Sequence, residues 1–238
     1  MKAVVLAAGD GTRLGLGIPK ALVKVHGLTL LERSVRALND AGVNDIVAIM
    51  GPKPEMVRRH AKRRGLAIRL VENSEYERGN AISVLRAEGH VSDRFLVVMV
   101  DHIFDPSIVR GLTKAEGEVV ACVDSKPLFA SVREATKVLV EGEKVICVGK
   151  GLKRFNAIDV GVFLCSRSIF PIVKECVERG DDEWSHCVRE MARRGMVRAY
   201  DIKGKLWIDV DTIRDLRRAR RVLRTLQIRY APPHPTER

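Results

Sequence analysis

Residues 3–15 read Ala-Val-Val-Leu-Ala-Ala-Gly-Asp-Gly-Thr-Arg-Leu-Gly, and the pair Pro19-Lys20 follows shortly after them. The apolar half of this stretch predicts a buried strand, and its glycines predict a tight turn whose backbone N–H groups are not covered by side chains. A turn of this kind binds anions when a helix follows it. Two cations, Arg13 and Lys20, belong to the same region, so the sequence predicts a polyphosphate ligand.

Spacing argues against two other glycine-rich phosphate sites. A P-loop ends in Gly-Lys-Ser or Gly-Lys-Thr, and neither tripeptide occurs in the chain. The dinucleotide fingerprint G-x-G-x-x-G fits Gly9 and Gly11 but meets Leu14 where the third glycine belongs. That fingerprint also needs an acid after the second strand, where this chain has Gly51-Pro52. A turn that needs glycine only for its geometry would leave the two cations unexplained.

The rest of the pattern predicts an α/β protein. Apolar runs such as 45–50 and 95–100 alternate with amphipathic helical patterns such as 28–41, which favours a mostly parallel sheet covered by helices on both faces. Segment 136–148 predicts a β-hairpin, and a last helix is expected to begin at Thr212 with Asp215 completing a capping box. We expect a single domain over residues 1–228 and a tail or linker over residues 229–238.

Composition narrows the function classes. The 42 basic and 30 acidic residues leave a net charge of +12, but aromatic residues make up only 5% of the chain, so no nucleic acid partner is expected. Charged helix faces are typical of thermal adaptation through ion-pair networks. No apolar stretch is long enough to span a membrane and no secretory signal is recognisable, which predicts a cytoplasmic protein. The 5 cysteines include no C-x-x-C pair and are expected to be reduced core residues.

Three aspartates are the candidate metal ligands. Asp101 follows the apolar run 95–100, at the end of a strand where open α/β sheets bind ligands. Asp209 and Asp211 are two residues apart in a second strand-to-helix junction, so both side chains can face one site. Carboxylates from two strand ends suit Mg²⁺, which keeps phosphate oxygens and waters as its other ligands. Asp101 could instead cap a helix, but Asp105 is better placed for that role.

The runs 6–15 and 19–24 resemble the signature of nucleotidyltransferases that activate sugar or alcohol phosphates, and the resemblance extends from Met1 to the helix after Thr212. It implies a three-layer, Rossmann-like nucleotidyltransferase fold with a small β-hairpin insertion, a magnesium cofactor and catalytic roles for Arg13 and Lys20. In such enzymes the opening loop wraps a nucleoside triphosphate. The implied nucleotide-binding residues are Leu6, Ala8, Gly9, Asp10, Gly11, Thr12, Arg13, Lys20, Asn73, Gly79 and Asn80.

Segments 77–80, 134–138, 148–150 and 156–163 are similar to archaeal CTP:inositol-1-phosphate cytidylyltransferases, which make CDP-inositol for the osmolyte di-inositol phosphate. The resemblance implies that Lys150, Asp159 and Gly161 bind the acceptor, with Lys150 at its phosphate. In that family the domain is often fused to a membrane-embedded synthase. This chain would then be a stand-alone enzyme or an excised domain, with membrane association through a partner or fusion.

The expected reaction is transfer of CMP from CTP to a phosphomonoester, with pyrophosphate leaving. The attacking phosphate is already ionised at neutral pH, so no general base is needed. Asn80 could serve cytosine or uracil, and the residues do not decide between Asp209 and Asp211. The alternatives are a UTP/glucose-1-phosphate or CTP/phosphocholine enzyme and a non-catalytic nucleotide-sensing subunit. Retention of the cations and acids favours catalysis, and His102 beside Asp101 is expected to be a packed residue.

Overall fold

The computed structural model describes residues 1–225. The strands in this part of the chain are β1 (Lys2–Ala7), β2 (Lys24–Val25), β3 (Leu28–Thr29), β4 (Asp45–Met50), β5 (Arg69–Glu72), β6 (Arg94–Met99), β7 (His102–Phe104), β8 (Val119–Asp124), β9 (Lys137–Glu141), β10 (Lys144–Gly149), β11 (Ala157–Ser166), β12 (Val197–Asp201) and β13 (Trp207–Asp209). The helices are α1 (Leu30–Asp40), α2 (Pro54–Arg63), α3 (Asn80–Arg86), α4 (Pro106–Leu112), α5 (Ile169–Glu178), α6 (Trp184–Arg193) and α7 (Ile213–Thr225).

The central sheet has 9 strands in the order β5-β4-β1-β6-β11-β8-β12-β10-β9. Strands β10 and β11 run antiparallel to their neighbours, and the other seven of the 9 share one direction. The predicted α/β fold with a mostly parallel sheet is therefore confirmed. The predicted hairpin also forms, as β9 and β10, and it completes the edge of the central sheet instead of standing apart from it.

Alternate side chains of the buried strands serve two cores. Along β1, Ala3 and Val5 pack into one cluster with residues of α1, α4 and α7, whereas Val4 and Leu6 pack into the other with residues of α3, α5 and α6. A strand places successive side chains on opposite faces, so a strand covered on both faces must be continuously apolar. The result is three layers, helices–sheet–helices, with the carboxyl ends of β1, β5 and β6 at one edge.

Helix starts agree with the capping signals in the sequence. Thr29 and Glu32 form a reciprocal capping box at the start of α1. At α7 the Thr212 hydroxyl accepts a hydrogen bond from Asp215 N at 3.3 Å, and the Asp215 carboxylate accepts from Thr212 N at 2.9 Å, which confirms the predicted box. The last three residues of the expected domain, 226–228, and the expected tail, 229–238, lie outside the described residues.

A two-stranded sheet that the sequence did not indicate joins the middle of the chain to its far end. In it β7 pairs antiparallel with β13, which sets His102 opposite Asp209, and Val210 N donates to Asp101 O at 3.0 Å. The two acidic segments are therefore held side by side at the carboxyl edge of the central sheet. No helix within residues 1–225 is long and apolar enough to cross a membrane.

Candidate active site

The turn after β1 forms the floor of a cleft of about 440 Å³. Lys20 N donates to Gly9 O at 3.1 Å, which closes the turn on itself, and the Asp10 carboxylate accepts from Thr12 N at 3.0 Å. Of the predicted nucleotide-binding residues, those that line this cleft are Leu6, Ala8, Gly9, Asp10, Arg13, Lys20, Gly79 and Asn80. We call it the nucleotide cleft.

Charged groups from the beginning, middle and end of the described chain meet at one side of this cleft. Lys20 Nζ lies 2.5 Å from Asp101 Oδ2 and is also hydrogen-bonded to Asp211 Oδ1. Arg13 makes a two-point contact with Asp211, at 3.0 and 3.1 Å. We call these four residues the charged cluster. The cluster brings the two predicted phosphate-binding cations together with two of the three candidate metal ligands.

Electrostatic interactions keep Lys20 and Asp101 of the cluster ionised. Burial disfavours the charged form of Lys20, but the carboxylates of Asp101 and Asp211 outweigh that effect and raise its pKa. Burial likewise works against the Asp101 carboxylate, yet Lys20 and His102 hold its pKa well below the usual range. At neutral pH a ligand in the cleft therefore meets the Lys20 ammonium group and the Asp101 carboxylate.

Asp209 lies in a different environment from Asp211. Its Oδ1 accepts from Arg218 at 2.9 Å, and the same guanidinium contacts Asp215 at 3.0 Å. Burial raises the pKa of Asp209, opposed by His102 and Arg218. Both Asp209 and Asp211 face the same cavity, as predicted, but only Asp211 shares Lys20 with Asp101.

His102 is enclosed beside the charged cluster. Its ring lies 5.7 Å, centroid to centroid, from that of Trp207, whose Nε1 donates to the buried Asp124 carboxylate at 2.9 Å. His102 Nδ1 lies 3.2 Å from Asp101 Oδ1 without the alignment of a hydrogen bond. Burial lowers the pKa of His102 but Asp101 more than compensates and raises it.

A second cleft, of about 470 Å³, opens beside the first and shares Arg13, Asn80 and Asp101 with it. Lys150 and Asp159, predicted to bind the acceptor, both line it. Arg189 of α6 lines it as well, and its Nε donates to Val148 O at 3.1 Å, which anchors the guanidinium beside the β10 edge. We call it the acceptor cleft.

Sequence reasoning missed Arg189. It lies in a helical segment that carries further arginines, and only the packing of α6 against β10 directs it to the cleft. In the sequence alone, nothing distinguishes Arg189 from the other arginines of this segment, Arg193 and Arg194. No carboxylate within residues 1–225 pairs with either Arg189 or Lys150, so both cations are available to an anion.

Gly161 supports the acceptor cleft without lining it. Its backbone N–H donates to Asp159 Oδ1 at 2.9 Å, and its φ of 72° is in the left-handed region that favours glycine. A side chain at this position would overlap the His102 ring. Burial raises the pKa of Asp159 to about 6, with the Gly161 N–H and His102 acting in the opposite direction.

Three of the predicted nucleotide-binding residues are not brought into the cleft. Asn73 is fully buried; its amide donates to Ser83 Oγ at 3.0 Å and its carbonyl accepts from Glu75 N at 3.0 Å, so both ends are used internally. Gly11 and Thr12 shape the turn but do not line the cavity. Asn73 therefore holds the β5–α3 connection and has no free polar group for a ligand.

The carboxylates of the charged cluster fit a magnesium ion. Within the described chain no group of three or more His, Cys, Asp or Glu side chains forms a ready-made metal cage. Mg²⁺ does not need one, because it binds proteins through one or two carboxylates together with substrate phosphates. Asp101 Oδ1 is buried and has no hydrogen bond from residues 1–225, which leaves a hard oxygen donor free at the cleft.

The sequence profile of the MobA-like NTP transferase domain matches residues 3–198. The chain belongs to this family. The prediction of a nucleotidyltransferase is thereby confirmed, and the matched segment contains the opening turn, Asp101 and the acceptor cleft strands.

Curated relatives extend the match over almost the whole chain. One from Rubrobacter xylanophilus, named bifunctional IPC transferase and DIPP synthase, is 47% identical over 218 residues, or 90% of this chain. One of the same name from Archaeoglobus fulgidus is 36% identical over 94% of this chain. The chain spans about half the length of these relatives, 50% and 44%. The predicted resemblance is therefore confirmed, because relatives named IPC transferase are similar to almost the whole of this chain.

Solved structures share the fold of this NTP transferase domain. The inositol-1-phosphate CTP transferase from T. maritima superposes with a TM-score of 0.84 at 24% identity, covering 93% of this chain and 96% of that one. A putative glucose-1-phosphate thymidylyltransferase from Bacillus anthracis gives 0.79 at 21% identity, covering 94% and 95%. These likenesses confirm the nucleotidyltransferase fold.

Proposed function

We propose that this domain transfers CMP from CTP to inositol-1-phosphate with Mg²⁺, releasing pyrophosphate and CDP-inositol. The observation that carries the proposal is the charged cluster, in which Arg13 and Lys20 meet Asp101 and Asp211 at the junction of two clefts. The similarity to proteins named IPC transferase and inositol-1-phosphate CTP transferase supports this choice of substrates.

Each of the two clefts binds one of the two substrates. The nucleotide cleft offers Arg13 and Lys20 to the triphosphate, and preorganised cations of this kind stabilise the charge that develops as pyrophosphate leaves. The acceptor cleft offers Lys150 and Arg189 to a phosphate, and Asp159 to hydroxyl groups. Because Arg13 borders both clefts, the two phosphates that react are brought to the same cation.

The reaction requires alignment more than proton transfer. A phosphomonoester dianion is already a nucleophile, and one of its oxygens attacks the α-phosphorus in line as pyrophosphate departs. Arg13 and Lys20 orient and neutralise the triphosphate, while Lys150 and Arg189 hold the attacking group. Asp101 and Asp211 would hold Mg²⁺, which supplies further neutralisation of phosphate charge when bound.

A substrate panel tests the proposal. Each of the four common nucleoside triphosphates is incubated with inositol-1-phosphate, glucose-1-phosphate or phosphocholine, and pyrophosphate release is measured with and without Mg²⁺. We expect turnover with CTP and inositol-1-phosphate, dependent on Mg²⁺. Turnover restricted to UTP and glucose-1-phosphate would refute the acceptor and base assignment, and nucleotide binding without turnover of any pair would indicate a sensing subunit.

A matched pair of variants links the activity to the site. Asp101→Asn removes the charge of a cluster carboxylate and is expected to abolish turnover at any Mg²⁺ concentration in the assay. Asp93→Asn makes the same chemical change at an exposed position before β6 and is expected to leave turnover unchanged. Equal activity of both variants would show that the cluster is not the reaction centre.

We propose further that CDP-inositol is consumed by a membrane-embedded synthase on the same chain or on a partner. The names of the relatives join two activities, and this chain spans about half their length. On α7 four arginines, Arg217, Arg220, Arg221 and Arg224, border a groove of about 370 Å³ that would suit anionic headgroups. We expect salt-sensitive co-sedimentation with phosphatidylglycerol vesicles; absence of binding at low salt would contradict a membrane-facing α7.

A further inference from the structure

The nucleotide cleft presents a definite arrangement of polar groups on the connection between β5 and α3. Asn80 Oδ1 accepts a hydrogen bond from Trp184 N at 2.6 Å. A backbone N–H can only donate, so this contact fixes which end of the Asn80 amide faces α6. Asn80 lines the cleft, and the remaining end of its amide, Nδ2, has no hydrogen-bond partner within residues 1–225 and can act only as a donor.

Hydrogen bonds and an ion pair hold the connection that carries Asn80 against the segment that precedes α6, and so maintain this orientation of the amide. Ala81 N donates to Asp182 O at 2.9 Å, and Arg78 contacts the Asp182 carboxylate at 3.1 and 3.2 Å. Gly79 lies so close to Asp182 O that any side chain there would overlap it. A rotated Asn80 would set its NH₂ group against the Trp184 N–H and lose that hydrogen bond.

A carboxylate on the same connection completes the arrangement. Glu77 lines the nucleotide cleft, and its only polar contact among the described residues is with Tyr76 Oη, at 3.3 Å. An unpaired carboxylate beside a triphosphate site works against anion binding, so it requires a specific cationic or N–H partner to be favourable. Two other carboxylates of this cleft differ from Glu77. The Asp10 carboxylate already accepts a hydrogen bond from Thr12 N, and Glu183 borders both clefts and so lies at their junction.

The two pyrimidines differ in the groups that would meet this pair. Cytosine has an N4 amino donor and an N3 acceptor, whereas uracil has an O4 acceptor and an N3–H donor. A carboxylate accepts from the cytosine amino group but repels O4 of uracil. An amide NH₂ donates to cytosine N3 but faces a second donor at uracil N3–H, so both contacts favour the same base.

We infer that Glu77 and the NH₂ group of Asn80 form the base-selective pair of this cleft and discriminate cytosine from uracil. The inference rests on the proposed function, because it takes the cleft to be the nucleotide site. It extends that proposal by deciding between the donor and acceptor roles of the Asn80 amide, and by assigning a role to Glu77, which is not among the predicted site residues.

Nucleotide binding without an acceptor tests the inference separately from turnover. Calorimetric affinities for CTP and UTP are measured for the unmodified protein, Glu77→Gln and the matched control Glu178→Gln, an exposed glutamate at the end of α5. We expect CTP to bind more tightly than UTP, and Glu77→Gln to lower that preference on the order of 10- to 100-fold, because the new amide can donate to uracil O4. The control is expected to keep the original preference.

Asn80→Asp provides an independent variant. It retains an oxygen for the Trp184 N–H and removes the donor, so the preference for CTP is expected to fall while circular dichroism and melting temperature stay close to those of the unmodified protein. Glu183→Gln, at the junction of the clefts, is expected to leave the ratio unchanged.

Two outcomes would overturn the inference: equal affinity of the unmodified protein for CTP and UTP, or a ratio that moves in Glu183→Gln but not in Glu77→Gln. A failure of the proposed function is distinguishable from both. It would leave inositol-1-phosphate unreactive while the base preference and its response to Glu77→Gln remain.

Discussion

Replacing Asp159 with asparagine is expected to stabilise the protein, and to stabilise it more at pH 8 than at pH 4.5. Asp159 faces the acceptor cleft, and burial raises the pKa of its carboxyl from 3.8 to about 6. Asparagine is nearly isosteric and keeps an oxygen for the Gly161 N–H, which donates to Asp159 Oδ1 at 2.9 Å. The change therefore removes a charge with little disturbance of packing.

The magnitude follows from linkage between ionisation and folding. When folding raises the pKa of a carboxyl, the folded state binds the proton more tightly than the unfolded state does. Stability therefore falls as the pH rises from the unfolded-state pKa through the folded-state pKa. The full shift from 3.8 to about 6 corresponds to about 3 kcal/mol at pH 8. At pH 4.5 the ionisation penalty is about 1 kcal/mol, so the asparagine variant should gain about 2 kcal/mol more at pH 8 than at pH 4.5.

Urea unfolding at the two pH values measures this difference. The quantity to compare is the free energy of unfolding of the variant minus that of the unmodified protein, because every other titrating group cancels in it. Asp201→Asn is a control without this pH dependence: burial opposes ionisation of Asp201, but hydrogen bonds from Ser125 outweigh it and lower its pKa below 3.8. Because Asp201 then titrates below pH 4.5, the variant-minus-unmodified difference for Asp201→Asn should be nearly the same at pH 4.5 and pH 8. A variant-minus-unmodified difference for Asp159→Asn that is the same at pH 4.5 and pH 8 would refute the reasoning.

Three further predictions concern the charged groups and the last helix. Lys20→Met should lower kcat by about 10² to 10³, the effect of removing one preorganised donor, whereas Lys24→Met, on the exposed face of β2, should retain activity in the same pyrophosphate assay. Arg189→Gln should raise the KM for the phosphomonoester by at least about tenfold with little change in the KM for CTP, and equal increases in both would contradict an acceptor role. Thr212→Ala should destabilise the protein by about 1 kcal/mol in urea unfolding, because it removes the hydroxyl that accepts from Asp215 N.

Most of the elements could be predicted from local pattern. Strand β4 agrees residue for residue with the predicted run 45–50, and helix α1 lies within the predicted helical pattern 28–41. Buried parallel strands are continuously apolar and helices repeat every 3.6 residues, so both leave strong signals in a single sequence. The short strands β7 and β13 left none, because each has only 3 residues and gains its stability from pairing with the other.

In the candidate site, too, some residues could be predicted from local sequence and others could not. Arg13 and Lys20 were identifiable because a glycine-rich turn after a buried strand is a local arrangement with a known chemistry. The roles of Arg189 and Glu77 could not be predicted in this way, because they depend on which cavity each residue lines in the folded protein. Asn73 had the right position along the chain but is enclosed, with both amide ends bonded to the protein.

The sequence by itself determined the α/β class, the phosphate-binding turn and the chemical character of the residues that could serve it. Only the tertiary structure decided that Asp211, rather than Asp209, shares Lys20 with Asp101. Two aspartates two residues apart can point the same way, so local sequence does not distinguish them. The choice depends on neighbours distant in sequence. Arg218 from α7 contacts Asp209, and the β7–β13 pairing brings Asp211 to Lys20. Long-range pairing of this kind has no local signature, because its free energy comes from contacts that form only when the chain is folded.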